Sequence, residues 1–293
     1  MKTQGICFVL LVFVLGACNL GSTQSTEAKD FAARKQLAEL MDKKLKEVSG
    51  MAASRGNAGL FWVHNDSGNE PEIYLIDDQL NIRLTVKLEG VENRDWEDIA
   101  VGPGPVAGKQ YVYVGDIGDN DAVYPYKYIY RFEEPLLDGV AEIGVSDIEK
   151  IVFKLEDQVK DTESLMIDHQ TKNVYVISKR EQPVYLYELT APMSNDTLVA
   201  KKLYSLPFKE IVAADYTSVN GDVLIKNYQA VYYWKNEKRE SIAALLKSKP
   251  ARVPYDEEPQ GESIAWAIDG AGFYTLSEKK KKKPCYLYFH AKE

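Results

Sequence analysis

The stretch Arg94–Gly102, RDWEDIAVG, decides how the chain is read, because shortened forms of it return. DTESLMID begins at Asp161, AADYTSVNG at Ala213 and GESIAWAIDG at Gly261. Each sets an acid before a run of small and apolar residues: Glu97, Glu163, Asp215 and Glu262. VSGMAAS fits the same frame with Ser49 in the acid's place, and the successive spacings are then 48, 66, 52 and 47 residues. Self-similarity at such a period marks a repeat architecture.

The segments downstream of the anchors repeat too. After a turn rich in Gly, Asp or Asn comes a second apolar run (LFWVHND, QYVYVGD, NVYVISK, DVLIKN, GFYTLSE). A third comes next (EIYLID, KYIYRF, PVYLYEL, AVYYW, CYLYF), and a weaker fourth in IRLTVKL, KIVFKL, VAKKLYSL and ARVPY. These runs are short, alternate in hydrophobicity and are rich in Tyr, as strands are. Four antiparallel strands per repeat predict an all-β chain, a β-propeller of four-stranded blades. Five anchors predict five blades. Six is the alternative, since the 66-residue interval has room for extra strands, and a two-domain β protein is a second. The last repeat lacks a fourth strand, and the segment LMDKKLKEVS before the Ser49 anchor is expected to supply it, with a helix as the alternative from its Leu, Lys and Glu content. Closing the ring in this way removes exposed sheet edges.

The first residues read differently. Lys2 precedes the 13-residue apolar run GICFVLLVFVLGA, which is too short to span a bilayer, and LGAC ends at Cys18. This fits a lipoprotein signal over residues 1–17 with acylation at Cys18, against an ordinary secretory signal. Residues 18–36 then form a polar, flexible tether, and residues 37–293 a single propeller domain. Cys7 leaves with the signal and Cys18 carries lipid, so Cys285 has no partner for a disulfide. The expected location is the bacterial cell envelope, anchored by lipid on the periplasmic or outer-membrane surface. The expected state is a monomer. A formal charge of −8 argues against a nucleic-acid partner.

In a propeller the first strand of each blade lines the channel, and the loop between second and third strands returns to the same face. Glu97, Glu163, Asp215 and Glu262 should therefore ring one mouth, beside the ends of HNDSG, GDIGDN, SKRE, KNYQ and SEKK. Converging carboxylates raise one another's pKa unless a cation compensates. Calcium suits such a ring of oxygens, and Asn65, Asp66, Asp119 and Asn120 add ligands. Zinc is less suited, because of the three histidines only His64 is well placed and no thiolate cluster exists. Without a metal, backbone N–H groups, water or Lys179, Arg180 and Lys226 would satisfy the acids. HNDSGN and GDIGDN also read as simple Asx turns. Trp96 reads as packing between blades, and Lys279–Lys283 as a solvated loop or a contact for an anionic partner. No nucleophile elbow, phosphate-binding loop or dinucleotide fingerprint is present.

The segments HNDSGN, NRDWEDIAVGPG, YVGDIGDN, DTESL and PQGESIAW with GFYTLSE resemble a family of bacterial secreted propeller proteins of undefined activity. The resemblance spans roughly Glu47 to Tyr288. More distantly, acids at channel-lining strand entries resemble those of calcium-dependent propeller hydrolases such as propeller phytases, paraoxonase-like lactonases and gluconolactonases. That second likeness implies hydrolysis of an ester, lactone or phosphoester. Calcium would polarise the scissile group, His64 or Asp116 would act as general base, and Lys179 or Arg180 would stabilise negative charge. The alternative is a non-catalytic binding or scaffold module of the envelope, with structural calcium or no metal. A phytase would want more basic residues than these.

Overall fold

The computed structural model describes residues 27–193, 196–279 and 283–293. The signal sequence, Cys18 and the lysines at 280–282 lie outside the described residues. Among those described, the strands form five four-stranded antiparallel units. The first holds β2 (Val48–Ala53), β3 (Phe61–Asn65), β4 (Glu72–Ile76) and β5 (Ile82–Leu88). The second holds β6 (Trp96–Pro103), β7 (Gln110–Asp116), β8 (Lys127–Glu133) and β10 (Glu149–Leu155). The third holds β11 (Thr162–Ile167), β12 (Val174–Ser178), β13 (Val184–Leu189) and β14 (Leu198–Leu206). The fourth holds β15 (Ile211–Tyr216), β16 (Val223–Asn227), β17 (Val231–Trp234) and β18 (Ala251–Val253). The fifth holds β19 (Ser263–Trp266), β20 (Gly272–Leu276), β21 (Tyr286–Ala291) and β1 (Lys35–Glu39). The expected runs and these strands coincide closely.

The inner strands touch in sequence, β2 to β6, β6 to β11, β11 to β15 and β15 to β19, and β19 returns to β2. Small residues let them approach, and side chains tie them where no strand ladder runs. Ser49 Oγ donates to the Glu97 carbonyl at 2.8 Å, and Ser263 Oγ to the Ser49 carbonyl at 3.1 Å. Asp98 accepts from the Leu165 N–H at 2.9 Å, and Asp215 from the Trp266 N–H at 2.7 Å. The apolar core is divided in the same way into five clusters, each between adjacent units. Trp96, fully buried between the first and second units, packs as expected.

Two expectations about the chain's periphery are corrected. The strand that completes the fifth unit is β1, paired with β21 in a register that sets Lys35 opposite Phe289. LMDKKLKEVS holds instead a 3-10 turn at Lys43–Leu45, because the Asp42 carboxylate caps the Lys44 N–H at 2.8 Å. The tether expected to run to residue 36 is also docked from Glu27 onward. Ala28 N–H bonds to the Arg252 carbonyl, and Ala32 N–H to that of Ala291. Phe31 packs on Tyr233, Trp266 and Phe273 at ring separations of 5.0, 6.2 and 5.3 Å. A buried aromatic offers the apolar area that the polar composition of this segment conceals.

The long interval between Glu97 and Glu163 holds β9 (Glu142–Val145), which pairs in parallel with β5 on the outside of the first unit. A short parallel contact between β10 and β14 joins the second and third units.

Candidate metal centre and ligand site

The acids at the strand entries point into the channel because the backbone is bulged there. Pairing with the second strand shifts between Val48 and Gly50, Trp96 and Asp98, Thr162 and Ser164, and Ile211 and Ala213. A bulge adds one residue and re-aims its side chain. The bulged residues are Ser49, Glu97, Glu163 and Val212, and Glu262 stands just before β19. The fourth unit therefore offers an apolar residue at this level, and Asp215, expected in the ring, lies three positions deeper.

Glu97, Glu163 and Glu262 open on one cavity of about 420 Å³. The ends of the second strands complete its wall with Asp66, Asn120, Lys179, Arg180 and Tyr228. Residues two places before Glu97, Glu163, Val212 and Glu262 join them. Glu210 and Gln260 line the cavity, while Asp95 and Asp161 sit against Glu97. One oxygen each of Asp66, Asp95 and Glu97 lie within 4.8 Å of one another, as do those of Glu97, Asp161 and Glu163. Asp95 and Asp161 were not singled out from the sequence, although the D-x-E of DWE and DTE repeats there.

Part of this negative charge is balanced. Lys179 Nζ lies 2.6 Å from Glu163 Oε1, and Arg180 Nε 2.8 Å from Asp161 Oδ2. Burial disfavours the Lys179 ammonium, but Glu163 beside it, with Tyr228 and Glu97 nearby, raises its pKa overall. Tyr228 Oη donates to Glu262 at 2.6 Å. The rest is not balanced. Burial, Glu163, Asp66 and Asp95 push Glu97 well above the carboxylate range. Burial with Asp66 and Asp161 pushes Asp95 up to about 6. Glu97 is 6% exposed, and its carboxylate accepts no hydrogen bond among the described residues. Gly118 gives it room, since a Cβ there would come within 2.2 Å of Glu97 Oε1 and 2.5 Å of the Asp95 carboxylate. Closely spaced, desolvated carboxylates, with that of Glu97 lacking any donor among the described residues, suit a hard divalent cation, whose oxygen ligands stand about 2.3–2.6 Å from it.

The other expected residues are placed elsewhere. His64 is fully buried, with Nδ1 3.0 Å from the Asn65 carbonyl, and burial lowers its pKa to about 4. Asp116 is 1% exposed, bound to Arg94 at 3.3 Å and to the Asp95 N–H at 3.2 Å. Neither lines the cavity, because both lie within a second strand, Asp116 at its last residue, rather than beyond its end. Asn65 accepts from the Glu47 N–H and donates to the Lys44 carbonyl. Asp119 accepts from the N–H groups of Val123 and Tyr124 at 2.8 Å. These two shape turns, as Asx residues do. Lys226, expected among the neutralising groups, is buried and donates to the Gly261 carbonyl.

Asp215 opens on a narrow recess at the far end of the channel, beside Arg55, Tyr216 and Thr217. Burial pushes its carboxyl up to about 7, against the N–H groups of Trp266 and Tyr216 and the charge of Arg55. A raised carboxyl contributes stability fully below its unfolded pKa, near 4, and loses it as pH rises through the folded value. Between about pH 5 and pH 8 the wild type should therefore lose roughly 1–2 kcal/mol more than Asp215→Asn, a figure discounted for the residue's partial solvent contact. Urea unfolding of both proteins at the two pH values measures it.

No family model matches the chain, and comparison with curated proteins finds no match. Solved structures of similar shape include the major Malassezia sympodialis allergen Mala s 1, at 9% identity and a TM-score of 0.51 over 88% of this chain and 96% of that one. The PQQ-bound aldose sugar dehydrogenase of Streptomyces coelicolor matches at 10% identity and 0.48 over 89% and 98%. The Neurospora crassa Pan2 WD40 domain matches at 10% and 0.45 over 90% and 97%. At such identities the likeness is one of fold. Its antiparallel units, closed in a ring through their inner strands, make the chain an all-β propeller with an acidic cavity at one mouth of its channel.

Proposed function

We propose that the chain is a five-bladed propeller, exported and lipid-anchored at Cys18 on the bacterial envelope, whose acidic mouth binds calcium and, through it, a small oxygen-rich ligand. The observation that carries this reading is the unpaired, buried Glu97 carboxylate between Asp66, Asp95, Asp161 and Glu163. Asp66, Asp95 and Glu97 would hold the ion, which when bound supplies Lewis acidity toward a ligand oxygen. Lys179 and Arg180 present positive charge at the cavity wall, suited to an anionic or polarised group. Tyr228 fixes Glu262 by its hydrogen bond.

Hydrolysis of an ester, lactone or phosphoester would also require a base at the cavity. His64 and Asp116 stand behind its wall, so that role would fall to a carboxylate of the cavity such as Glu210. The test is the metal content of the purified chain, with melting followed in calcium and in chelator. Bound calcium and a melting point several degrees higher in calcium are expected, since a ligand at about 100 times its Kd stabilises by about 2.7 kcal/mol. No metal and no shift would leave a metal-free envelope scaffold. Turnover of ester, lactone or phosphoester substrates that stops in chelator would establish the hydrolase instead.

A further inference from the structure

We infer that the mouth contains two adjoining cation positions, one open to a metal ion and the other filled by the protein's own Lys179 ammonium. This allocation rests on the reading of the mouth as a calcium site. Asp66, Asp95 and Glu97 define the first position; Glu97, Asp161 and Glu163 define the second, and Glu97 belongs to both. In each set the oxygens lie within 4.8 Å of one another. That is close to the distance across a calcium ion whose ligands stand about 2.3–2.6 Å away.

The two sets differ in what already satisfies them. In the second, Lys179 Nζ is 2.6 Å from Glu163, and the lysine side chain is only 11% exposed. Asp161 accepts from Arg180 Nε at 2.8 Å and from the Asp119 N–H at 2.9 Å. Two cations and a backbone donor thus hold that set. In the first, Asp66 accepts from the Ser67 N–H at 2.6 Å, and no ion pair reaches Asp66, Asp95 or Glu97 among the described residues. Glu97 is nine-tenths buried and lines the cavity, and its carboxylate has no donor among the described residues. The unmatched negative charge is therefore concentrated in the first set. A divalent ion entering the second would compete with the Lys179 ammonium for Glu163, and Coulomb repulsion in a buried site is weakly screened. Lys179 makes the site mononuclear.

The test uses the full chain, gel-filtered in calcium, with metal counted by elemental analysis and affinity read by calorimetry. Wild type should hold one calcium. Lys179→Met should hold two, with the first bound about tenfold more tightly. Glu163→Gln should keep the single ion within about threefold of wild-type affinity, whereas Asp95→Asn should weaken it by about thirtyfold or more. Two ions in wild type, or one ion with unchanged affinity in Lys179→Met, would overturn the allocation while leaving a calcium site. Glu163→Gln losing the ion as fully as Asp95→Asn would also overturn it, and does not depend on Lys179→Met folding. A wild-type chain that binds no calcium removes the reading of the mouth, and the allocation with it.

Discussion

Phe31→Ala is expected to lower the melting temperature by roughly 6–20 °C, the largest effect of any single substitution considered. The side chain is 5% exposed and packs on Tyr233, Trp266 and Phe273 between the fourth and fifth units. Truncating a buried Phe costs about 3–5 kcal/mol, against a total stability of about 5–15 kcal/mol. In a domain of this size each kcal/mol moves the midpoint by about 2–4 °C. A chain cut to begin at Leu40 should fare worse, because it also loses β1 and leaves β21 as an open edge. Unpaired edges recruit other strands, so that protein should aggregate. Circular dichroism melts and size-exclusion chromatography measure both outcomes. A Phe31→Ala protein melting within about 2 °C of wild type, the shift that a single kcal/mol produces, would mean that the segment is not docked in solution.

Glu97→Gln should abolish the difference between melting in calcium and in chelator, removing a shift of about 5–10 °C at saturating calcium. The sign in chelator is the sharper outcome. Burial and neighbouring acids push the Glu97 carboxyl up, so its charge is a burden on the metal-free fold. The neutral amide should therefore be as stable as wild type in chelator, or more so. If Glu97→Gln instead destabilised the chain equally in both conditions, Glu97 would be a structural residue and the cation would bind elsewhere.

The strands were legible because each unit repeats one pattern: small residues in the inner strand, then Val, Ile and Tyr alternating in the next three. The closing strand was not, since KQLAE at Lys35–Glu39 is as polar as the segment before it and is fixed by pairing with β21 rather than by its own pattern. Alignment on acids groups Glu97, Glu163 and Glu262, which line one cavity, with Asp215, which opens on a separate recess. The repeated feature is the bulge, a backbone property, and at Val212 the bulged residue carries no charge. His64 and Asp116 stand off the cavity for a related reason. In a buried strand, residues one step apart face opposite sides, and no spacing tells which side meets solvent.

The docking of residues 27–34 has a directional consequence. β1 runs from Lys35, opposite Phe289, to Glu39, opposite Tyr286, while the loop after β20, where the Glu278 N–H bonds to the carbonyl of the cavity-lining Gln260, lies beyond its far end. The chain therefore arrives on the side of Trp266, Ala291 and Lys292, and the acidic cavity opens on the other. For a chain tethered at Cys18, the leash to Glu27 spans at most about 30 Å. It would pull on the back of the molecule and turn the cavity away from the bilayer, toward whatever diffuses past.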